Sequence, residues 1–102
     1  MNRNAYILKA RIAKALAHES RLMMIDALRE KEMCVCDLVK LVGADQSTVS
    51  KHLSILKNVG IVMDARKGNK IYYSLKTPCV LSFFQCAVEV IQSSIRDQVA
   101  AI

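Results

Sequence analysis

Apolar positions recur at helical spacing in five stretches of this chain and alternate in one, and the two periods lay out its elements. In residues 3–17, Leu8, Ile12, Ala15 and Leu16 form a stripe opposite Arg3, Lys9, Arg11 and Lys14, which predicts an amphipathic helix. Leu22, Ile25 and Leu28 predict a second helix over 20–29, with Ser20 a better cap than His18 and with Met23 and Met24 as core filler. A polar connection, 30–33, leads to a third helix over 37–42 carrying Leu38, Leu41 and Val42. Gly43-Ala44 makes a turn, Asp45 caps a fourth helix over 46–58 with Val49, Leu53 and Leu56 inward, and Gly60 ends it. Alternation then predicts strands at 61–63 and 70–75, the second with Ile71, Tyr73 and Leu75 on one face, joined by the turn Arg66-Lys67-Gly68-Asn69. Thr77 as cap and Pro78 in the first helical position open a last helix over 78–98. Its stripe of Leu81, Phe84, Val88, Ile91 and Ile95 is widened by Phe83, Ala87 and Val90. Two adjoining apolar bands need two partners, the chain's own core and a second copy.

The order of these elements gives a mainly α fold with a small β-hairpin. Two short helices joined by a glycine turn, the second with a polar free face, form a helix-turn-helix, and a basic-tipped hairpin directly after it is a wing. We therefore expect one winged helix-turn-helix domain over residues 1–102, dimeric through its N- and C-terminal helices, with reading helix 46–58, wing 61–75 and last helix 78–98. At 102 residues the core is modest, and a symmetric partner adds much of the buried surface.

Charge sharpens the picture. The formal net charge is +6. Between Gln46 and Lys76 the chain carries Lys51, Lys57, Arg66, Lys67, Lys70 and Lys76 against the single acid Asp64, which favours a polyanionic partner. Double-stranded operator DNA fits the motif: Gln46, Ser47, Thr48, Ser50, Lys51 and His52 on the reading helix face bases or phosphates, and Arg66, Lys67 and Lys70 on the wing reach the backbone. A dimer reads a two-fold operator with reading helices about 34 Å apart.

Charged residues interrupt every apolar run before it reaches membrane-spanning length, and the amino terminus lacks a secretory pattern, so a cytoplasmic chain with reduced thiols and no membrane partner is expected. Four cysteines in such a chain point to buried thiols, a metal site or a redox site. Cys34 and Cys36, one residue apart, diverge in a regular helix, where neighbours stand about 100° apart. They converge on one ion if Cys34 lies in the extended residues before the helix, whose N-terminus also favours thiolates. There is no C-x-x-C and no catalytic constellation, so an enzyme is not expected, nor any constitutive cofactor.

Cys34-Val35-Cys36-Asp37-Leu38, Gln46-Ser47-Thr48-Val49-Ser50-Lys51-His52-Leu53 and the wing ending Tyr72-Tyr73-Ser74-Leu75 resemble the ArsR/SmtB family of metal-sensing transcriptional repressors, over roughly residues 15–91. The resemblance implies an apo dimer that holds an operator and lets go when an ion binds. The CVCDL segment is similar to that of the arsenic-responsive branch, which implies As(III) or Sb(III) as inducer at cysteine thiolates. That branch has a third cysteine where this chain has Val39. Trivalent arsenic takes three thiolates, so the third comes from Cys79, less favourably from Cys86, from the other subunit or from a small cellular thiol. Cys79 and Cys86 lie about 10.5 Å apart along one helix and cannot share an ion. The family's zinc-type site aligns with Thr77, Cys79, Val90 and Ser93, so it is absent or rebuilt. Cadmium, lead or zinc at thiolates, and persulfide or redox sensing through Cys36 with Cys79, are the alternatives.

Overall fold

The computed structural model describes residues 2–100, the last for its backbone only; residues 1, 101 and 102 of the expected 1–102 domain lie outside. The elements are α1 (Arg3–Leu16), α2 (Glu19–Glu30), β1 (Met33–Cys34), α3 (Val35–Val42), α4 (Gln46–Asn58), β2 (Val62–Lys67), β3 (Lys70–Leu75) and α5 (Cys79–Ala100). The fold is mainly α with a small antiparallel sheet, as the periodicity indicates.

The reading helix α4 is fixed by signals at both ends and along its length. Asp45, in extended backbone, accepts the Thr48 N–H at 2.9 Å through Oδ1. At the other end the Gly60 N–H donates to the Lys57 carbonyl and the Ile61 N–H to that of Leu56, both at 3.0 Å, closing the last turn with Gly60 at φ +80°. Between them Val49 and Leu53 pack with Met24 and Leu38, while Leu56 joins Ala15, Leu16, Ile25, Leu28, Ile61 and Val62. The helix thus bridges two core clusters.

The sheet is larger than expected. Met33 and Cys34, expected as the end of a polar connection and the start of a cysteine pair, form a two-residue strand, and the strand order is β1-β3-β2. Met33 pairs with Tyr73 and Cys34 with Tyr72. In the hairpin, Lys67 pairs with Lys70, so Arg66 and Lys67 are strand residues and the turn is only Gly68-Asn69. Gly68 takes φ +63°, which matches the twist of a two-residue hairpin.

Other boundaries shift for local reasons. His18, not Ser20, caps α2: its Nδ1 accepts the Ser20 N–H at 3.0 Å and the helix begins at Glu19. α3 starts at Val35, which places Cys36 inside its first turn. The Thr77 hydroxyl, expected to cap the last helix, instead donates to the Gly60 carbonyl at 2.7 Å. Met24 is fully buried but Met23 faces out. On α1, Ala15 and Leu16 are buried while Tyr6, Ile7 and Leu8 are exposed. Among the described residues of α5, Val80, Leu81 and Phe84 pack against the core. The radius of gyration, 16.4 Å, exceeds the roughly 13 Å of a compact chain this long.

Candidate nucleic-acid interface and cysteine centre

The first turn of α4 carries no acid, and Gln46, Ser47, Thr48 and Lys51 are exposed on it, with Ser50 half-buried. Short polar side chains there allow close approach of an anionic surface, with the Thr48 N–H already held by the Asp45 cap. Arg66, Lys67 and Lys70 are exposed on the wing. Arg66 Nε donates to the Gly68 carbonyl at 3.3 Å, and Lys67 pairs with Glu32 while its Nζ stands 5.6 Å from the Tyr72 ring centre. Lys67 therefore also fastens the wing to the start of β1. The one acid of the basic stretch, Asp64, is taken by Lys57 at 3.0 Å, which pins β2 to the end of α4.

His52 departs from the reading surface. It is buried, 9% exposed, and its Nδ1 lies 3.0 Å from Nη1 of Arg21. The signal was present in the sequence: positions 49, 52, 53 and 56 share 3–4 spacing, so His52 lies on the inward stripe.

At the cysteine centre, Cys34 is the N-cap of α3 with extended backbone, φ −81° and ψ 166°, and makes no capping bond through its side chain. This is the arrangement that lets two cysteines one residue apart converge. Their sulfurs are brought into direct contact, with Cα atoms 5.4 Å apart. Cys34 is buried and Cys36 exposed. Asp37, not among the expected ligands, brings a carboxylate into the same group: the three donor atoms lie within 4.8 Å of one another. Its position beside Cys36 in the first turn was the available clue. Among the described residues Cys79 and Cys86 do not join this group within one chain; both are free and exposed, so Cys86 is not buried there. With both cysteines as thiolates, the donor set within one chain is two sulfurs and an oxygen, which suits a thiophilic ion but leaves a three-thiolate demand short by one.

This centre touches both reading elements. Cys34 is in register with Tyr72 of the wing, and Leu38, one turn further along α3, packs on Val49 and Leu53 of α4. Tyr73, paired with Met33 on one side and Asp64 on the other, links the strands; burial first, then the Asp64 charge, push its phenol above the ordinary value, so it stays protonated.

A helix-turn-helix followed by a two-stranded wing, with a polar, acid-free first turn on the second helix, defines a winged helix-turn-helix transcriptional regulator. The family described as "Bacterial regulatory protein, arsR family" matches residues 18–64. The HTH-type transcriptional regulator Rv0081 of Mycobacterium tuberculosis is 33% identical over 98 residues, 95% of this chain and 86% of that protein. Its crystal structure superposes with a TM-score of 0.80 at 32% identity, covering 93% of this chain and 96% of that one. The winged helix-turn-helix domain Mb0332 of Mycobacterium bovis, a homodimer in solution, gives 0.77 at 29% identity, over 95% and 92% of the two chains. The arsenical resistance operon repressor of Escherichia coli is 29% identical over 101 residues, 91% of this chain and 86% of that protein. The chain belongs to the arsR family of bacterial regulatory proteins. Among the described residues no helix is long and apolar enough to cross a membrane.

Proposed function

We propose that the chain is a cytoplasmic dimeric repressor that holds operator DNA and releases it when As(III) or Sb(III) binds through Cys34 and Cys36. One observation carries this reading: the cysteine pair sits at a strand–helix junction that is bonded to the wing and packed on the reading helix. Ion binding that reshapes the N-terminus of α3 biases both at once. A coupling of about 1–3 kcal/mol lowers operator affinity some 5–150-fold. The third donor is Asp37 of the same chain or Cys79 of a second copy. Similarity to the arsenical resistance operon repressor supports the metalloid, and the uncovered apolar face of α5, together with the homodimeric relative, supports the dimer.

The DNA contacts proposed are Gln46, Ser47, Thr48, Ser50 and Lys51 in the groove, with Arg66, Lys67 and Lys70 on the backbone. The test is operator release measured across arsenite, antimonite, cadmium, zinc, lead and persulfide. Arsenite and antimonite should release the wild type, while Cys34→Ser and Cys36→Ser should bind DNA and ignore both. Continued release of the cysteine variants by arsenite would defeat the site assignment. Release by cadmium, lead or zinc alone would transfer the site to a divalent ion.

The close approach of the two sulfurs favours one second reading, a thiol switch. Oxidation of Cys34 and Cys36 to a disulfide gives up two protons and two electrons to a persulfide or peroxide, and the ring so closed stiffens the same junction. Release by persulfide that is reversed by a dithiol, without any response to arsenite, would select it.

A further inference from the structure

Away from the cysteine centre, one polar cluster ties three helices together. Arg21 of α2 donates from Nε to the Ala15 carbonyl at 2.6 Å and from Nη2 to the Lys14 carbonyl at 3.3 Å, both at the end of α1. Its Nη1 meets His52 Nδ1 of α4 at 3.0 Å. A guanidinium only donates, so His52 Nδ1 must accept, and the proton of the neutral ring sits on Nε2. The neighbouring His18 is bound in the same sense, its Nδ1 accepting the Ser20 N–H, and the two rings lie 4.4 Å apart.

We propose that Arg21 and His52 form a proton-sensitive clamp that positions the reading helix: with His52 neutral, Arg21 fastens the middle of α4 to the end of α1, and a proton on Nδ1 unfastens it. Protonation turns the acceptor into a donor facing another donor, so the bond is lost outright rather than weakened. It also places a positive charge beside Arg21 in a half-dry site. Arg21 then keeps its two carbonyls on α1 but no longer holds α4, whose next residue outward, Lys51, faces the DNA side. Arg21 and His52 are positioning residues here, and neither is proposed to touch DNA.

The surroundings favour the neutral ring. Burial, first, and then His18 and Arg21 hold His52 below the ordinary histidine value of 6.5. No acid, Glu19 beside His18 included, is among the groups that shift it, and Asp64 of β2 is paired with Lys57, Asp45 is bound at the cap of α4, and Asp37 of α3 lies with the cysteines. A value lowered in the folded state means that the clamp's contribution is complete above the unfolded value, about 6.5, and is lost as pH falls below it.

The inference rests on the operator-binding reading, and its test separates the two. The full chain without DNA is first examined by histidine ¹⁵N NMR. At pH 7.5 the His52 proton should reside on Nε2, and on acidification Nδ1 should gain a proton while amides along α4 shift with it. A proton on Nδ1 at pH 7.5 would overturn the clamp, whatever the protein does to DNA. Binding to a duplex selected at pH 7.5 is then measured at pH 7.5 and 5.5 for wild type, His52→Gln and His52→Asn. Acidification adds charge that tightens phosphate contact in every variant, so the comparison is the ratio of the two affinities. The wild type should lose about fivefold relative to the variants, near the lower edge of measured couplings. Equal ratios would overturn the positioning role. Failure to bind any duplex at pH 7.5 would instead sink operator binding, leaving the NMR result to judge the clamp.

Discussion

On α4 the apolar stripe is sealed, with Val49, Leu53 and Leu56 at 0% exposure, whereas on α5 Phe83, Val90, Ile91 and Ile95 stand 55–65% exposed. Both stripes have the same 3–4 spacing in the sequence. What differs is what lies opposite them. α4 is held by its own cap and C-terminal turn and is met by α2, α3 and β2 within the chain, while α5 touches the core only through its first two turns. Periodicity marks a face that must be covered and is silent about the cover. On α4 that cover is local; on α5 none of the described residues provides one, which is the physical content of the dimer proposal.

The contrast can be broken or sharpened by substitution. Leu53→Ala should cost the most, about 2–5 kcal/mol, because it opens a cavity among Met24, Leu38 and Val49, and denaturant unfolding measures it. Ile91→Glu should leave the fold of one chain intact while abolishing self-association: sedimentation should report a monomer, and the unfolding midpoint should lose its dependence on concentration. A variant that unfolds as Leu53→Ala does would mean that Ile91 is core after all. Gly60→Ala should cost about 1–2 kcal/mol through backbone strain at φ +80°, since no atom lies within 4 Å of the added carbon. Asp45→Ala should have the smallest effect, present at neutral pH and vanishing in acid. Hydrogen bonds from Thr48 hold the Asp45 carboxyl below its ordinary 3.8, so its contribution is present above that value and fades as pH falls beneath it. Helicity followed from about pH 5 to about pH 3 should show a flatter acid limb in the variant.

The reading half was legible because its determinants are short-range: Asp45 to Thr48, Gly60 to Lys57, and a stripe that closes on itself. The strand Met33–Cys34 was not, because two residues carry no period and exist as a strand only through Tyr72 and Tyr73, far along the chain. His52 was misplaced by residue type: a polar side chain on a DNA-facing helix suggests an outward role, but its spacing put it inside, where Arg21 satisfies it. Asp37 was overshadowed by the two cysteines beside it. Cys79 and Cys86 could not be paired with the centre from spacing alone, and within one chain they stay apart from it.

The joint between α4 and α5 acts as a gauge. The Gly60 carbonyl takes the Thr77 hydroxyl, and the Ile61 carbonyl takes the N–H groups of Lys76 and Thr77, so the end of one helix and the approach to the other hang from two adjacent residues. In the paired repressor proposed above, that leaves little slack between the seam that joins two copies and the helices that read DNA. Half-site spacing then becomes a dimension machined into the chain, and a residue inserted at 76–77 should change which spacings are bound before it changes which bases are preferred.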